Sequence, residues 1–366
     1  MNYKETLEYI QSLKCYGSAR DLDNIRRLCD RLGYSEENCK LIHIAGTNGD
    51  GSVSAYVAHI MLAAGYKVGR YEPSVINDYR ERFQTGTRMI TQKDLCAYME
   101  RLKAVCEGLV AEGYPHPTAF EAETALSYLY FAEKGCEYVV FEDHIAKPGT
   151  LYIDCKLAGD AQVKGLKYGL TTQQFSYKDL PKVKIHIAGT HQIRNAVLAL
   201  EVVLQLRHAG LKISDKAIYQ GLENTAIPGR LEILGKKPMF IIDGTHNEEE
   251  AAQLAASIET YFPGKRLIYI MGVLKHTDYE RMLILTAKYA EHILTITPPD
   301  NPKGLSAFEL AVAAGRYHPR VTNLSSLEEA VEVSHLLADK DTVILCFGEL
   351  SYLGAMKKVF ANTYRN

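Results

Sequence analysis

The stretch that begins at Leu41 constrains this chain most. LIHIAG is a short apolar run of β type, GTNGDGS (Gly46–Ser52) is a turn with three glycines, and SVSAYVAHIMLAAG carries apolar residues at helical spacing until Gly65. A strand, a glycine-rich turn and a helix in that order aim backbone N–H groups at a helix N-terminus, where an anion is attracted. Gly46, Thr47, Asn48, Gly49, Gly51 and Ser52 are therefore the expected phosphate contacts. In a working loop of this type the residue before the last Gly-Ser is a lysine that neutralises the β and γ phosphates, and here that position holds Asp50. A change of two charge units beside a triphosphate opposes binding by several kcal/mol, even at an effective dielectric of about 20. The alternative is that the loop serves only as a tight strand-to-helix connection, with Ser52 capping the helix.

The rest of the chain repeats the alternation. A second helix is expected over 121–134, followed by CEYVVFE, a buried strand that ends on Glu142 and Asp143. Strands alternating with helices build a parallel sheet covered on its faces. Between Leu151 and Ile187 the segments LYIDCKL, VKGLKYGL and KVKIHIAG are short and separated by polar turns, which predicts a small antiparallel layer. A helix then runs from about Gln192 through NAVLALEVVLQL. The pattern breaks at Ile227–Arg230, and new strands are expected at PMFIID, RLIYIMG, HILTIT and TVILCF, with helices between them. This predicts an α/β protein of two domains, 1–229 and 230–366, the second a doubly wound unit of its own.

A chain of 366 residues is long for a single core, and 47% hydrophobic with 23% charged residues is the balance of a folding globular protein. A formal net charge of −2 and no basic stripe argue against a nucleic-acid partner. The start, MNYKETLEYIQSL, is polar and no run of 18 apolar residues follows, so the expectation is a cytoplasmic protein without a membrane span. Eight cysteines without a C-x-x-C pair signal neither a zinc site nor a disulfide framework.

Six motifs in order resemble the folylpolyglutamate and dihydrofolate synthases of the Mur-ligase superfamily. They are GTNGDGS, Tyr71-Glu72-Pro73-Ser74, Arg80-Glu81-Arg82-Phe83, Gly189-Thr190-His191-Gln192 through Asn195-Ala196, Pro228-Gly229-Arg230 and Asp243-Gly244-Thr245-His246-Asn247. The resemblance covers nearly the whole chain, from MNYKETLEYI to Gly348–Leu353. It implies a P-loop-type central domain with the antiparallel layer, a Rossmann-like C-terminal domain, and an ATP-dependent, magnesium-aided ligation of glutamate to a folate or pteroate carboxylate through an acyl phosphate. Such chemistry is positioning and charge neutralisation. On the same pattern Asn195, Arg230 and Asp243 match nucleotide contacts, and His246 and Asn247 lie in the matching loop before an acidic helix. Asn247 reads equally as an ordinary N-cap.

Against the family pattern, Ser-Pro is inverted to Pro73-Ser74, and several dozen residues are missing after Glu142, which matches a magnesium-binding glutamate. Asp143-His144 reads either as a vestige of the family's metal-binding Asp-His or as a plain surface turn. Glu142, Ser74 and His144 are thus the metal candidates, and the usual lysine carbamate is absent. Three functions follow as expectations. One is a ligase, with impaired catalysis or with Lys147 or Lys275 reaching the phosphates. Another is a non-catalytic homologue that binds a nucleotide, a pterin or a protein partner. The last is a structural subunit whose interface draws on some of the 24 tyrosines.

Overall fold

The computed structural model describes residues 1–17, 22–34, 39–142 and 162–364. In chain order, the first stretch of structure comprises α1 (Tyr3–Ser12), α2 (Leu22–Leu32), β1 (Lys40–Ile44), α3 (Asp50–Ala63), β2 (Val68–Tyr71), β3 (Phe83–Thr85), β4 (Arg88–Met89), α4 (Gln92–Ala111), α5 (Ala119–Glu133) and β5 (Tyr138–Glu142). After residue 161 come β6 (Val163–Lys167), β7 (Gln173–Tyr177), β8 (Leu180–Ile185), α6 (Gln192–His208) and α7 (Asp215–Asn224). The remainder is β9 (Glu232–Lys236), β10 (Met239–Ile242), α8 (Glu248–Tyr261), β11 (Leu267–Met271), α9 (Tyr279–Thr286), β12 (His292–Thr295), α10 (Ala307–Ala314), β13 (Val321–Asn323), α11 (Leu327–Leu337), β14 (Val343–Phe347) and α12 (Leu353–Thr363).

Two compact units result. The first takes 1–73, the described part of 78–142 and 199–221; the second takes 74–77, 162–198 and 222–364. In the first unit a five-stranded sheet runs β1-β5-β2-β3-β4. β5 pairs in parallel with β1 and β2, and β3 turns back antiparallel on β2. All five residues of β5 are buried, as expected of a strand covered on both faces. The helices start where polar side chains satisfy the free N–H groups of a first turn: Asn2 with Glu5 at α1, Thr91 at α4, and Thr118 with Glu121 at α5. α3 is buried nearly all round, which explains why its sequence lacks a polar stripe. Close packing reaches Gly69 of β2, where an added Cβ would lie 2.5 Å from Phe131.

The second unit holds a six-stranded sheet, β13-β12-β11-β14-β10-β9, parallel except for β9 at one edge. β11 and β14 are buried along their length. Side chains from the strands alternate between two cores, one with Tyr269, Leu345 and Phe347 against α8 and α9, the other with Ile268, Ile344 and Cys346 against α11 and α12. A separate antiparallel sheet, β6-β7-β8, belongs to the same unit.

The α/β fold is as expected, and so is the three-stranded layer. Its strands, though, are 163–167, 173–177 and 180–185; LYIDCKL lies outside the described residues. β7, β9 and β13 come from stretches that the apolar pattern does not single out. β9 and β13 are edge strands only half covered, so they carry no continuous apolar run.

Candidate functional site

β1 ends at Ile44, and the chain turns through residues 45–49 into α3. Gly49 is the N-cap, with φ of +85°, a conformation that an L side chain adopts only at a cost. It offers no capping side chain. Ser52 is not the cap: it lies within the first turn and is 1% exposed, because the helix starts three residues earlier than a serine cap would require. The N–H of Gly51 donates instead to Asp50 Oδ1 at 3.0 Å. The carboxylate that replaces a lysine in sequence therefore spends itself on the helix N-terminus, where a phosphate oxygen would sit. Gly51 also has no room for a side chain: an added Cβ would lie 3.0 Å from Oε2 of Glu142, the buried last residue of β5. Asp50 and Glu142 thus bring two carboxylates to the start of α3.

The metal candidates do not form a set. Glu142 belongs to the first unit, Ser74 is exposed and belongs to the second, and His144 lies outside the described residues. Among the described residues no group of three or more His, Cys, Asp or Glu side chains is gathered as a metal site. A magnesium ion commonly needs only one or two carboxylates beside waters and substrate phosphates, and of the three candidates Glu142 is the described carboxylate. Lys147 is likewise outside the described residues, and Lys275 is exposed in the second unit between β11 and α9.

The second unit brings the other candidates closer together. Asp243 follows β10 and accepts from the Leu231 N–H at 2.8 Å, the Thr245 N–H at 3.0 Å and the Thr245 hydroxyl. These bonds fix the loop that carries His246, and they hold Leu231 at φ +43°, a conformation that costs about 1–2 kcal/mol for a residue with a Cβ. Asn247 is the N-cap of α8: its side chain accepts from the Glu250 N–H at 2.9 Å. Asn195 stands in the first turn of α6, its amide donating to Gln192 Oε1 at 3.3 Å.

Two further residues complete this cluster. Glu250, 7% exposed, accepts from the His246 N–H at 3.0 Å, pairs with the His246 ring at 2.9 Å and with Arg230 at 3.3 Å. The hydrogen bond to Glu250 raises His246 to about 9. Burial pushes the Glu250 carboxyl up, but His246 and Arg230 outweigh it and hold it at about 2. His191 is the second. Its ring lies under Gly189, where an added Cβ would be 2.7 Å away, and its Nδ1 is buried without a hydrogen-bond partner. Burial lowers it to about 4, against the pull of Asp243, so the ring is neutral. His191, Arg230, Asp243, Thr245 and Glu250 line a cavity of about 10 Å³, the space of one water. His191 also lines a wider cleft of about 580 Å³, walled by Leu166, Tyr168, Ile193 and Ala252, with Arg194 on it.

The sequence singles out neither residue as a ligand contact. His191 was legible only as part of a motif. Glu250 stands three residues after Asn247, a spacing that signals helix capping rather than a site.

The fold agrees with what the chain is similar to. Residues 229–350 match the model of the Mur ligase, glutamate ligase domain. The dihydrofolate synthase/folylpolyglutamate synthase of Bacillus subtilis (strain 168) is 25% identical, with 97% of this chain and 98% of that protein covered. Folylpolyglutamate synthase from Thermotoga maritima superposes with a TM-score of 0.80 at 25% identity, over 100% of this chain and 98% of that one. Residues 229–350 thus carry a Mur ligase, glutamate ligase domain, and over its length the chain is similar to folylpolyglutamate and dihydrofolate synthases. Mycobacterium tuberculosis folylpolyglutamate synthase, solved with ADP and AMPPCP, shares the fold at a TM-score of 0.82 and 21% identity, covering 98% of this chain and 99% of that one. In this chain, no described helix is long and apolar enough to cross a membrane.

Proposed function

We propose that this protein is a folylpolyglutamate synthase-like member of the family in which ATP-dependent ligation of glutamate to a folate or pteroate is impaired. Its relatives carry the names of that activity, and one of them has been solved with adenine nucleotides. The observation behind the impairment is the Gly51 N–H donating to Asp50 Oδ1 at 3.0 Å, an internal anion at the start of α3. Asn195, Arg230, His246 and Asn247 remain the residues to face a nucleotide in the second unit, with Asp243 holding their loop. Glu142, whose carboxylate stands against Gly51, is the residue to hold magnesium in this reading, and the protein acts in the cytoplasm.

Calorimetric titration with ATP and magnesium tests the reading. The native protein is expected to show no measurable binding, and Asp50→Lys to gain affinity by about tenfold or more, the effect of replacing a carboxylate by an ammonium at short range. Tight, magnesium-dependent binding by the native protein would overturn it and justify a search for ligase activity with folates and glutamate. A second reading, a homologue that binds a pterin, a nucleotide or a protein partner without turnover, is favoured by the Glu250 contacts with both cations of the second unit. Hydrolysis of ATP that disappears in Asp243→Ala would count against it.

A further inference from the structure

Glu250 has no counterpart among the residues expected to contact a ligand, yet it is a buried charge, nearly as deep in its cluster as Asp243. Its two oxygens serve Arg230 at 3.3 Å, the His246 ring at 2.9 Å and the His246 N–H at 3.0 Å. Arg230 and His246 are the two groups of this cluster able to draw a phosphate, and the backbone N–H that Glu250 takes lies just before α8, where an anion is also drawn. With Asp243, the cluster holds two cations and two carboxylates, which sum to zero; without Glu250 the sum is +1.

We propose that Glu250 is a specificity residue, a built-in counter-ion of Arg230 and His246 that turns multiply charged phosphate away from the second unit and leaves it to ligands of low net charge. The proposal rests on the reading of Arg230 and His246 as ligand-facing residues. A buried carboxylate held by two cations is not displaced by an incoming phosphate without leaving its own charge unpaired, which penalises the exchange. A neutral or singly charged ligand meets no such obstacle.

Pyrophosphate is the probe, and the Cε1–H resonance of His246, assigned by its loss in His246→Gln, is the readout. At pH 6 a histidine freed of its partner is still mostly protonated, so removing Glu250 leaves both cations in place. The native protein is expected to show no saturable shift at millimolar pyrophosphate, whereas Glu250→Gln shows one at an affinity at least about tenfold higher, as loss of a nearby like charge requires. A saturable shift in the native protein overturns the proposal. So does an unchanged affinity in Glu250→Gln when the His246 titration has fallen from about 9 toward 6.5, because the ion pair is then broken in a folded site. Glu250→Ala, which leaves no amide to bury, takes its place if the glutamine variant does not fold. Because the signal comes from His246 with Asp50 untouched, ATP binding through the first unit's loop, which would overturn the impaired-ligase reading, is read separately.

Discussion

The N-termini of α3 and α8 are both places where a helix draws an anion, and both are met by a carboxylate of the chain itself. They differ in how that carboxylate is held. Asp50 takes the N–H of its immediate neighbour and is half-buried at a turn that a single glycine makes possible. Glu250 is buried and embraced by an arginine and a histidine from outside its helix. A charge near water, bonded locally, is cheap to remove; a buried charge between two cations is part of the structure, because its removal strands both partners. The same chemistry is thus a local substitution in the first unit and an organising contact in the second.

The widest difference is expected in stability. Glu250→Ala should lower the free energy of unfolding at pH 7 by about 1–2 kcal/mol, less than for a fully buried pair because His246 is 46% exposed. Asp50→Ala should change it by less than about 1 kcal/mol. Equal losses in denaturant titrations would remove the contrast.

Of similar size is a pH dependence that belongs to the second unit. The unfolded chain protonates His191 near 6.5, while the folded chain keeps it neutral to about 4. Between those values the unfolded state binds the extra proton, so stability falls as the pH falls. His246 works in the opposite sense: its folded ring holds a proton up to about 9. The stability it contributes is complete below about 6.5 and is lost as the pH rises through 9. Stability should therefore peak near pH 6.5, with His191→Gln flattening the acid limb by about 2 kcal/mol and Glu250→Gln flattening the alkaline one. Thermal melts across pH 4 to 10 check both limbs, and a limb that persists in its variant refutes the assignment.

Smaller effects sharpen the comparison at the helix starts. Asn247→Ala should cost about 1 kcal/mol, since it removes a side-chain cap from α8. Gly49→Ala should cost a similar amount, about 1 kcal/mol, for a different reason: the cap of α3 sits at positive φ and has no side chain to lose. If Asn247→Ala is silent while Gly49→Ala is not, α8 is held by Glu250 rather than by its cap.

Much of the fold was legible in the residues. CEYVVFE, RLIYIMG and TVILCF became strands buried along their length, because a strand covered by helices needs an unbroken apolar run, while LIHIAG became the half-buried edge strand β1. β9 and β13 were not legible, since an edge strand is half solvated. Within the site, the glycines of the loop and the motif Asp243–Asn247 announced themselves by spacing. Ser52 misled, for a serine after a glycine turn suits a cap as well as a buried first turn, and only the helix start decides between them. Glu250 looked like one of three acids on a solvated helix, and nothing local marks it from Glu248 or Glu249.

By itself, then, the sequence determined the alternation of strands and helices, the place of the glycine-rich turn, and the exchange of a lysine for Asp50, all of which are carried by periodicity or by a single residue. Tertiary structure alone decided that Glu142 stands against Gly51 at the start of α3, that Glu250 faces inward to meet Arg230 from a segment twenty residues earlier, and that His191 lies half-buried and neutral near Asp243. Those outcomes depend on distances between residues far apart in the chain, and charge and burial acquire their energies only once such distances are set.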